Sequence, residues 1–282
     1  MQQAVSYSDW IGSKEHRSDD ITTSSVQAIL NVLDDMSTIF VNGDRLPPLW
    51  HWFFFLPRAP MSQIGSDGHP QRGGFLPPVS LPRRMFAGAR MRFHNHLIIG
   101  QPATRDGEVI DVQEKHGGTG TLVFVTVRYR VMQSGKLCVE EEQDIVYREP
   151  GGPVTAPTPV SGVPRASAGA WVQTVTPTPV LLFRFSAITF NSHRIHYDRP
   201  YAMQEENYPG LVVHGPLIAT LLMDMVRRNT NRMVAGYTFR GRSPLFDTQP
   251  FHMVGHLSGN TVTLEAQGPD GTSCMTATAE LN

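Results

Sequence analysis

Two hydrophobic periods divide the chain. Val26, Ile29, Leu30 and Leu33 stand at i, i+3, i+4 and i+7, the stripe of an amphipathic helix. Downstream, residues 89–93, 109–113, 122–132 and 137–147 read as strands, and the third sets Val123, Val125, Val127, Tyr129 and Val131 on one face. The same order recurs towards the C-terminus. Residues 181–189 form an apolar run that reads as extended, and residues 215–228 place Leu217, Leu221, Leu222 and Met225 on one helical stripe. Strands are predicted at 237–240, 251–257, 261–266 and 274–281, with hairpin-turn chemistry at Ser258-Gly259-Asn260 and Pro269-Asp270-Gly271. A helix followed by several long antiparallel strands, twice over, predicts an α+β chain. Each half is a long helix wrapped by a curved antiparallel sheet, and the two sheets are able to join edge to edge.

Between the halves, residues 149–179 exchange periodic hydrophobics for Pro, Gly, Ser and Thr and read as an extended linker. This sets an N-terminal half at 1–148 and a C-terminal half at 180–282. Within the first, residues 47–82 carry Trp50, Trp52, Phe53, Phe54 and Phe55 ahead of a Gly/Pro-rich run. Such a cluster does not stay in water; it fills a core or walls an apolar pocket.

Composition narrows the function classes. The 282 residues are 40% hydrophobic and 17% charged with a formal net charge of −1, so no general attraction to nucleic acid or to an anionic membrane is expected. Cys138 and Cys274 are too few for a disulfide framework or a cysteine zinc site. The first twenty residues lack a basic stretch followed by an apolar one, and the most apolar run, 211–226, is short and interrupted by His214 and Asp224; a cytoplasmic protein is expected. GxxxxGK[ST], HExxH, GxSxG and a strand-linked GxGxxG are all missing, and no metal or redox cofactor is implied.

The chemistry concentrates in two linked stretches, FSAITFNSHRIHYDRPYA at 185–202 and GLVVHGPLIATLL at 210–222. Together they resemble the signature of the MaoC-like, or type 2, enoyl-CoA hydratases, Asp-x-Asn-Pro-x-His-x-Asp followed by His-Gly-x-Leu at a helix start. His196, Asp198 and Ala202 match that signature. Asn191 stands where the family has its catalytic aspartate, His193 where it has asparagine, and Arg194 where it has proline. This variant is similar to the branch containing the mesaconyl-C4-CoA and itaconyl-CoA hydratases and the mitochondrial type 2 3-hydroxyacyl-thioester dehydratases. The resemblance implies a double hotdog whose C-terminal half keeps the site while the N-terminal half has lost its motif. It also implies a hydro-lyase acting on an acyl-CoA thioester without a cofactor.

Hydrating a double bond conjugated to a thioester requires a base for water, a proton for the α-carbon and donors for the thioester oxygen. His196 suits either proton transfer. Asn191 is no base and is expected to orient water or the histidine, with His193 or Asp198 assisting. Gly215 opens a helix whose free N–H groups favour an oxyanion, and Pro216 is tolerated in its first turn. Two uses are open for Arg194: it binds the free carboxylate of a dicarboxylic acyl group, or it pairs with Asp198 or Glu206. His214 is a substrate contact or a spacer. Arg240 and Arg242, and Arg83 and Arg84 from the other half, are candidates for the coenzyme A phosphates or belong to solvated faces. A fatty-acid-type 3-hydroxyacyl-thioester dehydratase, a hotdog thioesterase and a non-catalytic acyl-thioester binder remain as alternatives, and a homodimer is open.

Overall fold

A computed structural model describes residues 6–117 and 120–282. The predicted first helix is α1, Thr23–Val32, with the Thr22 side chain capping Ser25 N–H and Val26, Ile29, Leu30 and Val32 turned inwards. It is ten residues long, shorter than the long helix expected of that half. The run expected to be extended is instead helix α2, Pro179–Thr189. Its local signals are at its start: Thr178 Oγ1 accepts from Leu181 N–H at 3.2 Å, and Pro179 lies in the first turn. The apolar run hides the helical period, although Leu182, Phe185 and Ser186 are the residues it buries. Helix α3, Arg199–Gln204, is short, and α4, Gly215–Asn229, is buried at every position from 217 to 226. A helix enclosed on all faces is the central rod of its half.

Among the described residues, ten strands make one antiparallel sheet: β1 Lys14–Asp20, β2 Arg83–Phe93, β3 Pro102–Gly117, β4 Gly120–Gln133, β5 Lys136–Arg148, β6 Trp171–Val175, β7 Val234–Gly241, β8 Phe251–Ser258, β9 Thr261–Gln267 and β10 Ser273–Leu281. Their order is β1-β3-β4-β5-β2-β7-β10-β9-β8-β6. The two halves join edge to edge where β2 pairs with β7, from Gly88 opposite Arg240 to Arg92 opposite Gly236. On β4 the five alternating residues Val123, Val125, Val127, Tyr129 and Val131 are all buried. The two outer strands carry no such apolar face: β1 alternates exposed and half-buried polar residues, and β6 lies inside the stretch read as linker. An edge strand with little buried surface needs no apolar face, and the charges of β1 (KEHRSDD) suit an unpaired edge.

The 47–82 segment crosses from one half to the other. Trp50, Phe53, Phe54 and Phe55 are buried, and Trp52 is partly so. Buried Glu141 of β5 anchors the start, meeting His51 Nε2 at 3.0 Å and accepting from Trp52 Nε1 at 2.9 Å. Arg72 braces the far end by donating to the Val79, Leu81 and Pro82 carbonyls. Among the described residues, no helix is long and apolar enough to cross a membrane.

Candidate active site

The 185–202 stretch folds into a compact platform. Helix α2 stops at Phe190, whose φ of +50° turns the chain, and residues 194–196 make a single 3-10 turn. Asp198 then caps α3, its Oδ1 accepting from Tyr201 N–H at 3.2 Å. This geometry buries His196 and fixes its tautomer. Nδ1 lies 2.7 Å from the Val212 carbonyl, which only accepts, so Nδ1 holds the proton and Nε2 keeps a lone pair. Burial pulls its pKa down to about 4, partly opposed by the Val212 carbonyl. The imidazole is neutral at physiological pH.

Three further histidines surround it. His214 stacks against His196 with ring centroids 3.6 Å apart, and its Nε2 meets Ser186 Oγ at 2.8 Å. His193 stands edge-on to His196 at 5.4 Å and meets His69 at 4.0 Å. Burial, then neighbouring imidazoles, holds His193 and His214 far below the ordinary histidine value. His69 is also lowered by burial, but Asp67 opposes the shift: its Oδ2 lies 3.1 Å from His69 Nδ1. Burial alone would raise the Asp67 carboxyl, yet the hydrogen bond and charge of His69 bring it below the ordinary carboxylate value.

The imidazoles of His69, His193 and His196 line a cavity of about 1120 Å³. That exceeds the 300–1,000 Å³ usual for small-molecule pockets, so the space suits a long ligand. Asn191 and Gly215 also line it, as do apolar Trp52, Phe86 and Phe185. The aromatic cluster therefore both fills core and walls the cavity. Asn191 Oδ1 accepts from His193 N–H at 3.1 Å and so shapes the loop. Gly215 opens α4, where no side chain caps the free N–H groups. A Cβ there would meet only the Phe86 carbonyl at 3.8 Å, which leaves the approach open to a ligand.

Four residues expected at the site do not line the cavity: Arg194, Asp198, His214 and Arg240. Arg194 donates from Nε and Nη2 to Asp198 Oδ2 at 2.9 and 2.8 Å, from Nη1 to the Ser66 carbonyl at 3.0 Å, and lies over the Tyr201 ring. Its fork is taken up by the ion-pair alternative, not by a substrate carboxylate. Asp198 is committed to that pair and to capping α3. His214 sits behind His196, and Arg240 is exposed on β7. Of the remaining arginines, Arg83 is buried against Glu206 at 2.9 Å. Arg84, Arg148 and Arg242 line the cavity, and no carboxylate among the described residues pairs with them. The charge of Arg84 reaches the imidazoles, lowering both His69 and His193.

Sequence reasoning missed Asp67 and His69, which the N-terminal half brings across. Their only local mark is an Asp-Gly-His triplet in a Gly/Pro-rich run, and spatial neighbours 124 residues apart, as Gly68 and Ser192 are, leave no periodicity. Asp67, His69 and His193 are also the metal-capable cluster among the described residues, with one donor atom each within 4.8 Å of the others. Ligands of a tetrahedral zinc lie about 2.0–2.2 Å from the ion and hence roughly 3.4 Å apart. The tighter contact actually made is the Asp67–His69 hydrogen bond, which gives His69 Nδ1 a proton rather than an open lone pair.

A family model described as hydroxyacyl-thioester dehydratase type 2 matches residues 49–247. The chain is 57% identical over 272 residues to the mesaconyl-C(4)-CoA hydratase of Chloroflexus aurantiacus, covering 96% of each. It is 30% identical over 244 residues to the mitochondrial hydroxyacyl-thioester dehydratase type 2 of Schizosaccharomyces pombe, covering 76% of this chain and 79% of that one. Among solved structures, a Mycobacterium tuberculosis protein described as a double hotdog superposes with a TM-score of 0.59 at 13% identity, covering 96% of both chains. That likeness shows the fold.

Proposed function

The chain belongs to the hydroxyacyl-thioester dehydratase type 2 family, and from that membership we propose that it hydrates a short dicarboxylic enoyl-CoA of the mesaconyl class, reversibly, to a citramalyl thioester. The observation that carries this reading is the neutral His196, with Nε2 unprotonated at the wall of an apolar cavity that three uncommitted arginines also line. The substrate class follows the Chloroflexus relative, similar to this chain along almost its whole length.

In this mechanism His196 Nε2 takes a proton from water as the hydroxyl oxygen bonds to the β-carbon. The π electrons shift towards the thioester oxygen, where the Gly215 N–H and the α4 dipole stabilise the charge. A proton delivered to the α-carbon completes the addition; the reaction is redox-neutral. Arg84, whose charge is felt at the imidazoles, receives the free carboxylate of the acyl group, and Arg148 and Arg242 meet phosphates of coenzyme A.

The test presents mesaconyl-C4-CoA, itaconyl-CoA and crotonyl-CoA in turn and follows enoyl absorbance and product mass. A gain of one water, fastest with the mesaconyl thioester and lost in His196→Ala, is the expected result. Free thiol without hydration would make the protein a thioesterase, and binding without turnover would make it an acyl-thioester carrier.

A further inference from the structure

Asn191 occupies the position of the family's acidic residue and holds no titratable proton, so His196 lacks the usual carboxylate partner. The nearest carboxylate–imidazole pair comes from the other half of the chain. Residues 65–70 turn over the 191–194 stretch and are fastened to it on both sides. Ser192 Oγ donates to the Gly68 carbonyl, Arg194 N–H donates to the Asp67 carbonyl at 2.9 Å, and Arg194 Nη1 holds the Ser66 carbonyl at 3.0 Å. Gly68 is at φ +90°, and a Cβ there would stand 1.8 Å from the Ser192 carbonyl oxygen. Only glycine lets the two backbones approach this closely.

This close approach delivers the His69 ring to His193 at 4.0 Å and into the same cavity as His196. Of the four clustered histidines, His69 alone has a carboxylate on its ring nitrogen. His196 bonds a backbone carbonyl, His214 a hydroxyl, and the His193 ring makes no hydrogen bond among the described residues. A proton placed on this cluster is therefore held best by His69, where Asp67 balances its charge.

We propose that His69, oriented by Asp67, is the second catalytic residue: as the imidazolium, with Nδ1–H on Asp67, it gives its Nε2 proton to the α-carbon and becomes neutral while His196 takes the proton of water and becomes charged, so that the two halves of the chain each contribute one proton-transfer group. Charge balances within the step. The water O–H bond breaks and its proton bonds to His196 Nε2; the hydroxyl oxygen bonds to the β-carbon; the former π pair forms the α-carbon C–H bond with the His69 proton. His193, wedged between the two rings, lies on the path by which the proton returns from His196 to His69 for the next turnover. Asp67 is a positioning residue, and the other charges facing His69 are Arg72 of its own segment and Arg84 of β2, with His193 and His196 opposite.

This inference rests on the hydratase reading, and the two fail differently. The experiment measures kcat and KM for mesaconyl-C4-CoA hydration across pH in the full chain, with ligand affinity from Trp52-reported fluorescence. His69→Gln is expected to lower kcat 10²- to 10⁴-fold with affinity retained. Asp67→Asn removes the partner that raises His69, so the basic limb of the profile, where His69 loses its proton, is expected to move to lower pH. If wild-type protein hydrates nothing, the proposed function falls. If it hydrates and His69→Gln keeps its rate, or Asp67→Asn leaves the basic limb in place, the dyad is overturned. Activity abolished by EDTA and restored by Zn²⁺ would likewise overturn it in favour of a metal between Asp67, His69 and His193. Asp67→Asn, isosteric and exterior to the helices, keeps the test decisive should His69→Gln fold poorly.

Discussion

The Nδ1–H of His196 is donated to the Val212 carbonyl at 2.7 Å, and this single hydrogen bond decides which nitrogen faces the cavity. Val212 lies just ahead of α4, so the start of the central helix sets both the base and, at Gly215, the N–H that meets the developing oxyanion. His196→Ala is expected to lower kcat 10²- to 10⁴-fold while enoyl-CoA affinity stays near wild type. With the His196 pKa at about 4, the acidic limb of kcat/KM should fall near pH 4 rather than at the ordinary histidine value. A limb near pH 6.5 would assign the base to another group.

Contact between residues 65–70 and the motif depends on Gly68. Gly68→Ala places a methyl against the Ser192 carbonyl in a region of φ that L side chains rarely adopt. The loop must lift. The expected result is a fall in kcat of at least tenfold with little change in melting temperature, because the loop packs outside both helical cores. Unaltered turnover in the variant would show that the loop's position does not matter to the chemistry.

Most of the frame was legible from hydrophobic pattern: eight of the ten strands and helices α1 and α4 follow periods that burial enforces. What pattern could not show were elements that burial does not define. The edges β1 and β6 bury too little to need an apolar face, and α2 is an apolar run whose helical character is declared by Thr178 and Pro179. At the site, the linked motifs located His196, His193, Asn191 and Gly215 around one cavity. Asp67 and His69 stayed hidden because they meet the motif only through the fold. Arg194 was legible as a cation beside the histidines, but its partner was decided by the capping geometry of Asp198.

Arg194 and Arg84 should separate in their effects. Arg194 fastens the Ser66 carbonyl and Asp198, so Arg194→Ala is expected to slow hydration of mesaconyl-C4-CoA and crotonyl-CoA by similar factors. Arg84→Gln should be selective. A charged hydrogen bond contributes about 1.5–3 kcal/mol, which corresponds to a roughly 10- to 100-fold higher KM for the dicarboxylic substrate. Crotonyl-CoA, without the carboxylate, should be little affected. Steady-state kinetics on the two thioesters check both, and equal losses in Arg84→Gln would remove it from carboxylate recognition.

The histidine cluster also sets an acid limit on the fold. His69, His193, His196 and His214 all have native pKa values below the ordinary 6.5, each chiefly through burial. Below pH 6.5 the unfolded chain binds protons that the native chain refuses, so stability is fully present above that value and is lost as pH falls towards the native pKa values. Each histidine contributes a slope of up to about 1.4 kcal/mol per pH unit. Against a total stability on the order of 5–15 kcal/mol, four such groups are enough to unfold the protein within a few pH units. The melting temperature is therefore expected to be level from pH 8 to 7 and to fall steeply between pH 6.5 and 5. His193→Asn removes one titrating ring while keeping a polar side chain of similar reach, and should flatten that slope. A melting temperature constant down to pH 5 would mean that the native and unfolded chains take up protons alike over that range, and would overturn the acid limit.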